Sequence, residues 1–260
     1  MRLVFRELER PDEFRETEEV SRSAWRFADR EVSPASDLIA ATHAGGLTAG
    51  AFDGKRMLGF VHGIPRVDLP ERAQHSHLLA VRPEAQGRGL AAQLKLFQRR
   101  WCLDRGIALV TWTYDPFLLR NAQLNLGRLR ATVHTLLPNF YGVMGGIYAS
   151  LPTDRFEVTW RLDDAEVGRA AAGAPPLFPL DAPDVPIATA RSIPFGAERL
   201  ALPFPGGAPK TYRSDPVRSL REKRAFRRLA TELFLRGHEV YAVALREAFP
   251  VYLLRRRAGS

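Results

Sequence analysis

Gly87 and Gly89 stand two apart in the run Val81-Arg82-Pro83-Glu84-Ala85-Gln86-Gly87-Arg88-Gly89-Leu90-Ala91. An apolar stretch, Leu78-Leu79-Ala80-Val81, enters this run, and a long amphipathic helical pattern leaves it. A strand, a glycine turn and a helix in that order can hold a phosphate. The first amides of a helix lack intrahelical partners, and the helix dipole places partial positive charge at the same end. Several amides can therefore grip one anion together. Glycine lets the backbone approach closely, and Arg88 adds a charged donor at the rim. A tight strand-to-helix turn without a ligand would read the same way. The P-loop spacing Gly-x-x-x-x-Gly-Lys-Ser/Thr is absent. A dinucleotide fingerprint survives only in a relaxed form ending at Ala92, and no acidic residue closes a strand about twenty residues later.

The same residues resemble a family. Gln86-x-x-Gly89-x-Ala91, preceded by Val81-Arg82-Pro83, is similar to the acyl-CoA-binding motif of the GNAT N-acyltransferases, Gln/Arg-x-x-Gly-x-Gly/Ala after a strand that often ends Val-x-Pro. The order downstream fits as well: a helix from about Leu90 to Arg105, Gly106, a strand from Ile107 to Thr113, then Asn121 in a further helix. This likeness covers roughly residues 1 to 150. The runs Ser76 to Val81, Tyr114-Asp115-Pro116, Arg120-Asn121-Ala122, Asn139-Phe140-Tyr141-Gly142 and Leu151 to Phe156 resemble a GNAT subfamily with an extra C-terminal region.

The resemblance implies transfer of an acyl group from acyl-CoA to an amine by direct attack on the thioester. It also implies where the donor sits. Main-chain groups of Leu79, Ala80 and Val81 would pair with the pantetheine arm, and amides from Gln86, Gly87, Arg88, Gly89, Leu90 and Ala91 would take the pyrophosphate. Asn121 and Asn125 would complete the cofactor site. Such chemistry needs a general base near neutral pH and a proton donor. His77 is the favoured base, because imidazole titrates near neutrality; many GNATs carry a carboxylate in this neighbourhood. His75 shares its face by two-residue alternation, and His62 on the preceding strand is another option. A structural histidine is the bland alternative. Asp115 could orient a histidine or bind the substrate amine, or simply cap the turn before Pro116. The tyrosine that many GNATs place seven residues after the helix asparagine is Arg128 here, so Tyr141 is the next candidate acid, against a core aromatic with a satisfied hydroxyl. Arg155 could hold an acceptor carboxylate bidentately, or pair with Asp154 or Glu157. Cys102 lies mid-helix, away from any helix N-terminus that would lower its pKa, and reads as a packed, inert thiol.

These residues need a scaffold, and the rest of the chain supplies one. With 260 residues, 45% hydrophobic and 26% charged, the chain reads as ordinary globular protein, long enough for a sizeable core. No apolar run reaches the ~18–20 residues of a membrane span, the charged N-terminus is no signal peptide, and the single cysteine suits a reducing cytoplasm. The net charge of +9 comes almost wholly from arginine; only Lys55, Lys95, Lys210 and Lys223 are lysines. A basic surface attracts a polyanion such as CoA, whereas no pattern here points to specific nucleic-acid binding. No metal-ligand spacing stands out.

Periodicity predicts a strand at 2–8, a helix at 12–27, and a hairpin from Leu47 to Ile64 turning at Asp53-Gly54. Phe156, Val158 and Trp160 alternate in a half-buried strand within 151–162. Residues 163–186 hold five prolines and Ala170-Ala171-Ala172-Gly173, and read as a linker or long loop. Asp215-Pro216 starts a helix that stops at Gly237, with Arg218, Arg221, Arg224 and Arg228 on a solvated face. A final hairpin follows at 239–245 and 251–255. The expected fold is α/β (α+β): a GNAT-like mixed, mostly antiparallel sheet flanked by helices, with a smaller C-terminal α+β extension. The domains divide as 1–162, 163–186 and 187–260. The expected function is acyl-CoA-dependent N-acyl transfer, with acetyl-CoA or succinyl-CoA as donor, no metal, and a small-molecule amine such as an amino acid as acceptor. A cytoplasmic location and no membrane association are expected, and a homodimer stays open. A non-catalytic acyl-CoA sensor and a protein N-acetyltransferase are the competing readings.

Overall fold

The computed structural model describes residues 3–26, 29–142, 151–178, 181–189, 192–194, 196–204 and 215–257. The chain divides into two compact units, the first from Met1–Trp112 with Arg161–Asp163, the second from Thr113–Trp160 with Asp164–Ser260.

The first unit carries strands β1 (Leu3–Glu7), β2 (Leu47–Asp53), β3 (Arg56–Arg66) and β4 (Ala73–Val81), each antiparallel to the next. Strand β5 (Leu109–Tyr114) joins β4 in parallel. Helices α1 (Pro11–Trp25) and α2 (Ala35–His43) separate β1 from β2, and α3 (Leu90–Leu103) separates β4 from β5. Pro11 opens α1 at a position where its missing N–H costs nothing. Glu13 fixes this helix start: its carboxylate accepts the Glu9 amide at 3.1 Å and Arg6 Nη2 at 2.5 Å. The Arg6 guanidinium holds the Glu13 carboxyl down at about 2. The β2–β3 turn uses Gly54 at φ +59°, as the Asp-Gly pair predicted. Leu8, Phe14, Val20, Leu38, Phe52, Met57 and Phe60 form a core between α1, α2 and the sheet.

The second unit holds helix α4 (Leu119–Ala122), which runs on into a π-helical turn at Gln123–Arg128. Strands β6 (Thr132–Leu137) and β7 (Arg155–Arg161) pair antiparallel. Helix α5 (Ala165–Ala171), strand β8 (Arg199–Pro203), helix α6 (Pro216–Leu235), and strands β9 (His238–Arg246) and β10 (Phe249–Arg256) follow. The strand order in this unit is β7-β6-β9-β10-β8. Phe156 lies at the centre of an aromatic cluster with Phe226, Phe234 and Tyr252. The expected strand faces hold: Phe156, Val158 and Trp160 are all fully buried.

The pairs β1–β2, β2–β3, β3–β4, β6–β7, β6–β9, β9–β10 and β8–β10 are antiparallel and β4–β5 is parallel, so the mixed, mostly antiparallel sheet expected from the sequence is observed. Several expectations need correction. Strand β5 starts at Leu109 rather than Ile107, because Ile107 still donates its amide to the end of α3 at Cys102. The proposed loop at 163–186 contains α5, capped by the Asp164 carboxylate accepting the amides of Glu166 and Val167. Strand β6 was not anticipated; its Val133 is buried but its apolar face is too short to stand out in periodicity. Phe27, placed in the first helix by its spacing, lies outside the described residues.

Candidate functional site

Strand β4 leads through a 3-10 turn (Pro83–Ala85) to the glycines and into α3. Gly87 and Gly89 sit at φ +78° and +79°. A Cβ on Gly87 would meet nothing within 4 Å, and one on Gly89 would meet only Gln93 Nε2 at 3.9 Å. Glycine is needed here for the left-handed backbone rather than for space among protein atoms. Gly89 is the N-cap, with no side-chain cap and no acidic residue in the first turn. The helical ladder begins with Gln93 N donating to Gly89 O at 3.1 Å. The amides of Leu90, Ala91 and Ala92 precede it, as an anion cradle requires. Gln86 works inside the loop: its Nε2 donates to Val81 O at 2.9 Å, tying the turn to the strand it leaves. Arg88 stands exposed at the rim.

The strand itself offers an open edge. On one side, Leu79, Ala80 and Val81 pair with Val61, Phe60 and Gly59 of β3. On the other, pairing with β5 covers Ala73, Gln74 and His75 only. Beyond His75, no β4–β5 pairing forms among the described residues. The main chain of Leu79 to Val81 can therefore accept an extended ligand as a further strand.

The histidines gather on one sheet face. The β3–β4 register shifts between His62–Leu78 and Gly63–Ser76, which leaves His77 as the extra residue of a bulge. The His77 ring lies 6.4 Å from that of His75 and 6.3 Å from that of His62, the latter edge-on. His77 is solvent-accessible, yet the protein around it desolvates the ring enough to lower its pKa from 6.5. His62 is buried, and burial together with the nearby His77 charge pushes it down to about 4. His75 Nδ1 lies 3.3 Å from Thr111 Oγ1, which also accepts Arg66 Nη1 at 2.9 Å.

The opposite face carries a polar network that sequence reasoning missed. Gln98 of α3 donates to Gln74 Oε1 at 2.6 Å and accepts from Ser76 Oγ and Lys95 Nζ at 3.1 and 2.9 Å. Lys95 is completely buried, with its ammonium 3.6 Å from the Trp112 ring centroid, and burial holds its pKa well below the usual lysine value. Lys95, Gln98 and Cys102 recur at helical spacing on the inward face of α3, a pattern visible in sequence only once the apolar face is known. Cys102 is buried, and desolvation pushes its thiol up to about 12, in keeping with an inert packed side chain.

The remaining candidates belong to the second unit. Asp115 is buried, and its Oδ1 accepts the Phe117 amide at 2.8 Å, the turn-capping role weighed for it. Desolvation raises its pKa, against the pull of Lys223 and Arg155. Arg155 is buried too. It pairs with neither carboxylate expected: its Nη1 lies 4.0 Å from Asp115 Oδ2 and donates to the main-chain carbonyl of Asp154 at 3.2 Å. The Asp154 carboxylate is taken by Arg227 in a two-pronged pair at 2.6 and 3.0 Å. Tyr141 is 42% exposed, so the core-aromatic alternative fails; its hydroxyl lies 3.2 Å from Thr113 Oγ1. Asn121 is half-buried on α4, and Asn125 is buried in the π-helical turn. Arg128 is exposed. Arg218, Arg221, Arg224 and Arg228 are exposed as expected, and Arg228 lines an open cavity of about 530 Å³ with Thr189, Ser192 and Glu232. Among the described residues, no cluster of histidine, cysteine and carboxylate side chains is arranged to hold a metal, and no helix is long and apolar enough to cross a membrane.

Residues 5–122 match the family model described as the Acetyltransferase (GNAT) family. These residues form a GNAT acetyltransferase domain. The GNAT match takes in the glycine turn, the open β4 edge, the three histidines, Asp115 and Asn121, and ends before Asn125, Tyr141 and Arg155. Solved structures agree on the fold. The ribosomal-protein-S18-alanine N-acetyltransferase of Escherichia coli aligns at a TM-score of 0.51 and 18% identity, over 63% of this chain and 96% of that one. Aminoglycoside 6'-acetyltransferase type Ii aligns at 0.50 and 15%, over 62% and 98%. The protein yncA of Salmonella typhimurium, solved with its cofactor acetyl-CoA, aligns at 0.50 and 14%, over 63% and 96%. Among curated proteins none matches the chain. The GNAT domain is thus an acyl-CoA-using N-acyltransferase domain.

Proposed function

We propose that the protein transfers an acetyl group from acetyl-CoA to the amine of a small metabolite, with His77 as the general base. The observation that carries this reading is the continuity of one element: the open edge of β4 at Leu79 to Val81 leads straight into the uncapped N-terminus of α3, and the bulge at His77 lies two residues before that edge. Amides of Leu90 to Ala92 hold the donor's pyrophosphate, and Leu79 to Val81 hold its extended arm. An acceptor amine arrives as an ammonium ion. It gives a proton to the neutral His77 imidazole, attacks the thioester carbonyl carbon, and the tetrahedral intermediate collapses by breaking the C–S bond. The thiolate takes up one proton, so acylation of an ammonium releases one net proton to solvent. His77 is suited to this role because its lowered pKa leaves it unprotonated at neutral pH.

The small-amine acceptor draws support from the aminoglycoside acetyltransferase among the fold neighbours. An amino-acid acceptor rests on Arg155, which would have to exchange its buried neighbour Asp115 for an acceptor carboxylate. The exposed Arg128, where many GNATs carry an acidic tyrosine, is the one feature that favours a non-catalytic acyl-CoA sensor. CoA release measured with acetyl-CoA and succinyl-CoA, against a panel of amino acids, polyamines, aminoglycosides and N-terminal peptides, separates these readings. Turnover with a small amine supports the proposal. CoA binding without turnover on the whole panel overturns it in favour of the sensor, and turnover on peptides alone favours a protein acetyltransferase.

A further inference from the structure

His62 is buried on β3, yet it is tied to the surface by hydroxyl groups. Its Nδ1 lies 2.8 Å from Thr48 Oγ1 on β2, and Thr48 Oγ1 lies 2.7 Å from Thr42 Oγ1 on α2. Thr48 is fully buried, and Thr42 is partly exposed. A threonine hydroxyl donates one hydrogen bond while accepting another. The row His62–Thr48–Thr42 can therefore run in either direction, and reversing every bond moves one proton along it. At the inner end, the His62 ring meets the His77 ring edge-on at 6.3 Å.

We propose that His62, Thr48 and Thr42 carry the proton released at His77 out to solvent on the α2 side of the sheet, with His62 as the relay residue. This deepens the proposed function and rests on His77 being the base. In each turnover the amine N–H bond breaks with its electron pair left on nitrogen. The proton passes to His77, then to one nitrogen of His62, while the other nitrogen releases a proton through the two hydroxyls. His77 and His62 end neutral, and one proton has left.

The surroundings suit a relay. Beside His77 on β4 stands His75, and beside that on β3 stands Arg66, whose charge is paired with Asp68 at 3.0 Å. From β2 the groups that meet His62 are the Thr48 hydroxyl and the main chain of Leu47, and Thr42 on α2 meets Thr48 in turn. The buried Lys95 is bonded to Gln98, which together with Gln74 and Ser76 belongs to the opposite face of the sheet. His77 is the titratable group whose charge acts on His62. A charge on His77 disfavours protonation of His62, so a proton does not rest on both rings at once.

The test compares Thr48→Val, Thr42→Val, His62→Gln and His77→Ala with the wild type. The measurements are melting temperature, acetyl-CoA Kd, and kcat at low and high imidazole concentration. Thr→Val removes the hydroxyl and keeps the shape. The relay predicts kcat about tenfold lower in both threonine variants at low buffer, with acetyl-CoA Kd within about twofold of wild type and kcat restored by imidazole as an external proton carrier. A structural role would not give imidazole rescue. If kcat falls without rescue, or stays at the wild-type value while His77→Ala is about 100-fold slower, the relay is overturned and the base assignment stands. If His77→Ala keeps the wild-type kcat, the base assignment fails and the relay falls with it. Thr42→Val, at a partly exposed site, keeps the test decisive should Thr48→Val fold poorly.

Discussion

Gly89→Ala isolates the backbone from the side chain. Gly89 sits at φ +79° and ψ 5°, and a Cβ there would touch only Gln93 Nε2 at 3.9 Å. Nothing in the protein blocks the methyl group, so the penalty is the left-handed conformation itself, about 1–2 kcal/mol for an L-residue. That penalty must appear in one of two places. If the free loop relaxes to negative φ, the amides of Leu90 to Ala92 turn away and acetyl-CoA binding bears the cost, raising Kd about 5–30-fold. If the loop stays in place in both states, the same energy is lost from folding stability. Isothermal titration with acetyl-CoA and urea unfolding, run on one preparation, measure both. Gly89→Asn serves as the control, because asparagine enters this region more readily than alanine, and it should lose less on whichever axis Gly89→Ala loses. A Gly89→Ala protein with wild-type Kd and wild-type stability would refute the claim that φ is why this glycine is there.

Three further outcomes follow from the buried groups. His62 is held at about 4 in the folded protein, against 6.5 for the free side chain. The unfolded chain therefore binds a proton between those values that the folded protein refuses. Stability is insensitive to this group above pH 6.5, falls by about 3 kcal/mol as pH drops to 4, and levels off below. Urea unfolding of wild type and His62→Gln at about pH 7 and pH 4.5 should show a smaller loss in the variant; parallel losses would contradict the assignment. Cys102, pushed up to about 12 and packed against Gln74 at 3.5 Å, should resist iodoacetamide at about pH 8 in the native state and react once unfolded. Rapid native labelling would mean the α3 face opens. Asp154→Ala strips the two-pronged partner from Arg227 and the acceptor from the Asn139 amide, which should cost about 3 kcal/mol and lower Tm without changing acetyl-CoA affinity.

The fold was legible where local rules act alone. The Asp53-Gly54 turn, the Gly87 and Gly89 pair, Asp215-Pro216 and Gly237 each mark an element end, because capping and positive φ are properties of a few neighbouring residues. Alternation at Phe156, Val158 and Trp160 marked a buried strand for the same reason. Short β6 and the seven-residue α5 escaped, since Val133 and the Asp164 cap are weak signals until neighbouring strands and helices bury them.

The candidate site divides along the same line. The sequence alone determined the glycine turn at the start of α3, because a strand, two glycines and a helix form it from contiguous residues, and it supplied His77 and His75 on one face by alternation. Only the tertiary structure decided what surrounds them. It bulged β4 at His77, brought His62 from β3 to that ring, and hung His62 on hydroxyls from β2 and α2. It also set Arg155 beside Asp115 rather than Asp154 or Glu157, and buried Lys95 beneath Trp112. These contacts join residues far apart in the chain. Strand register and burial fix them, and no spacing along the sequence records either.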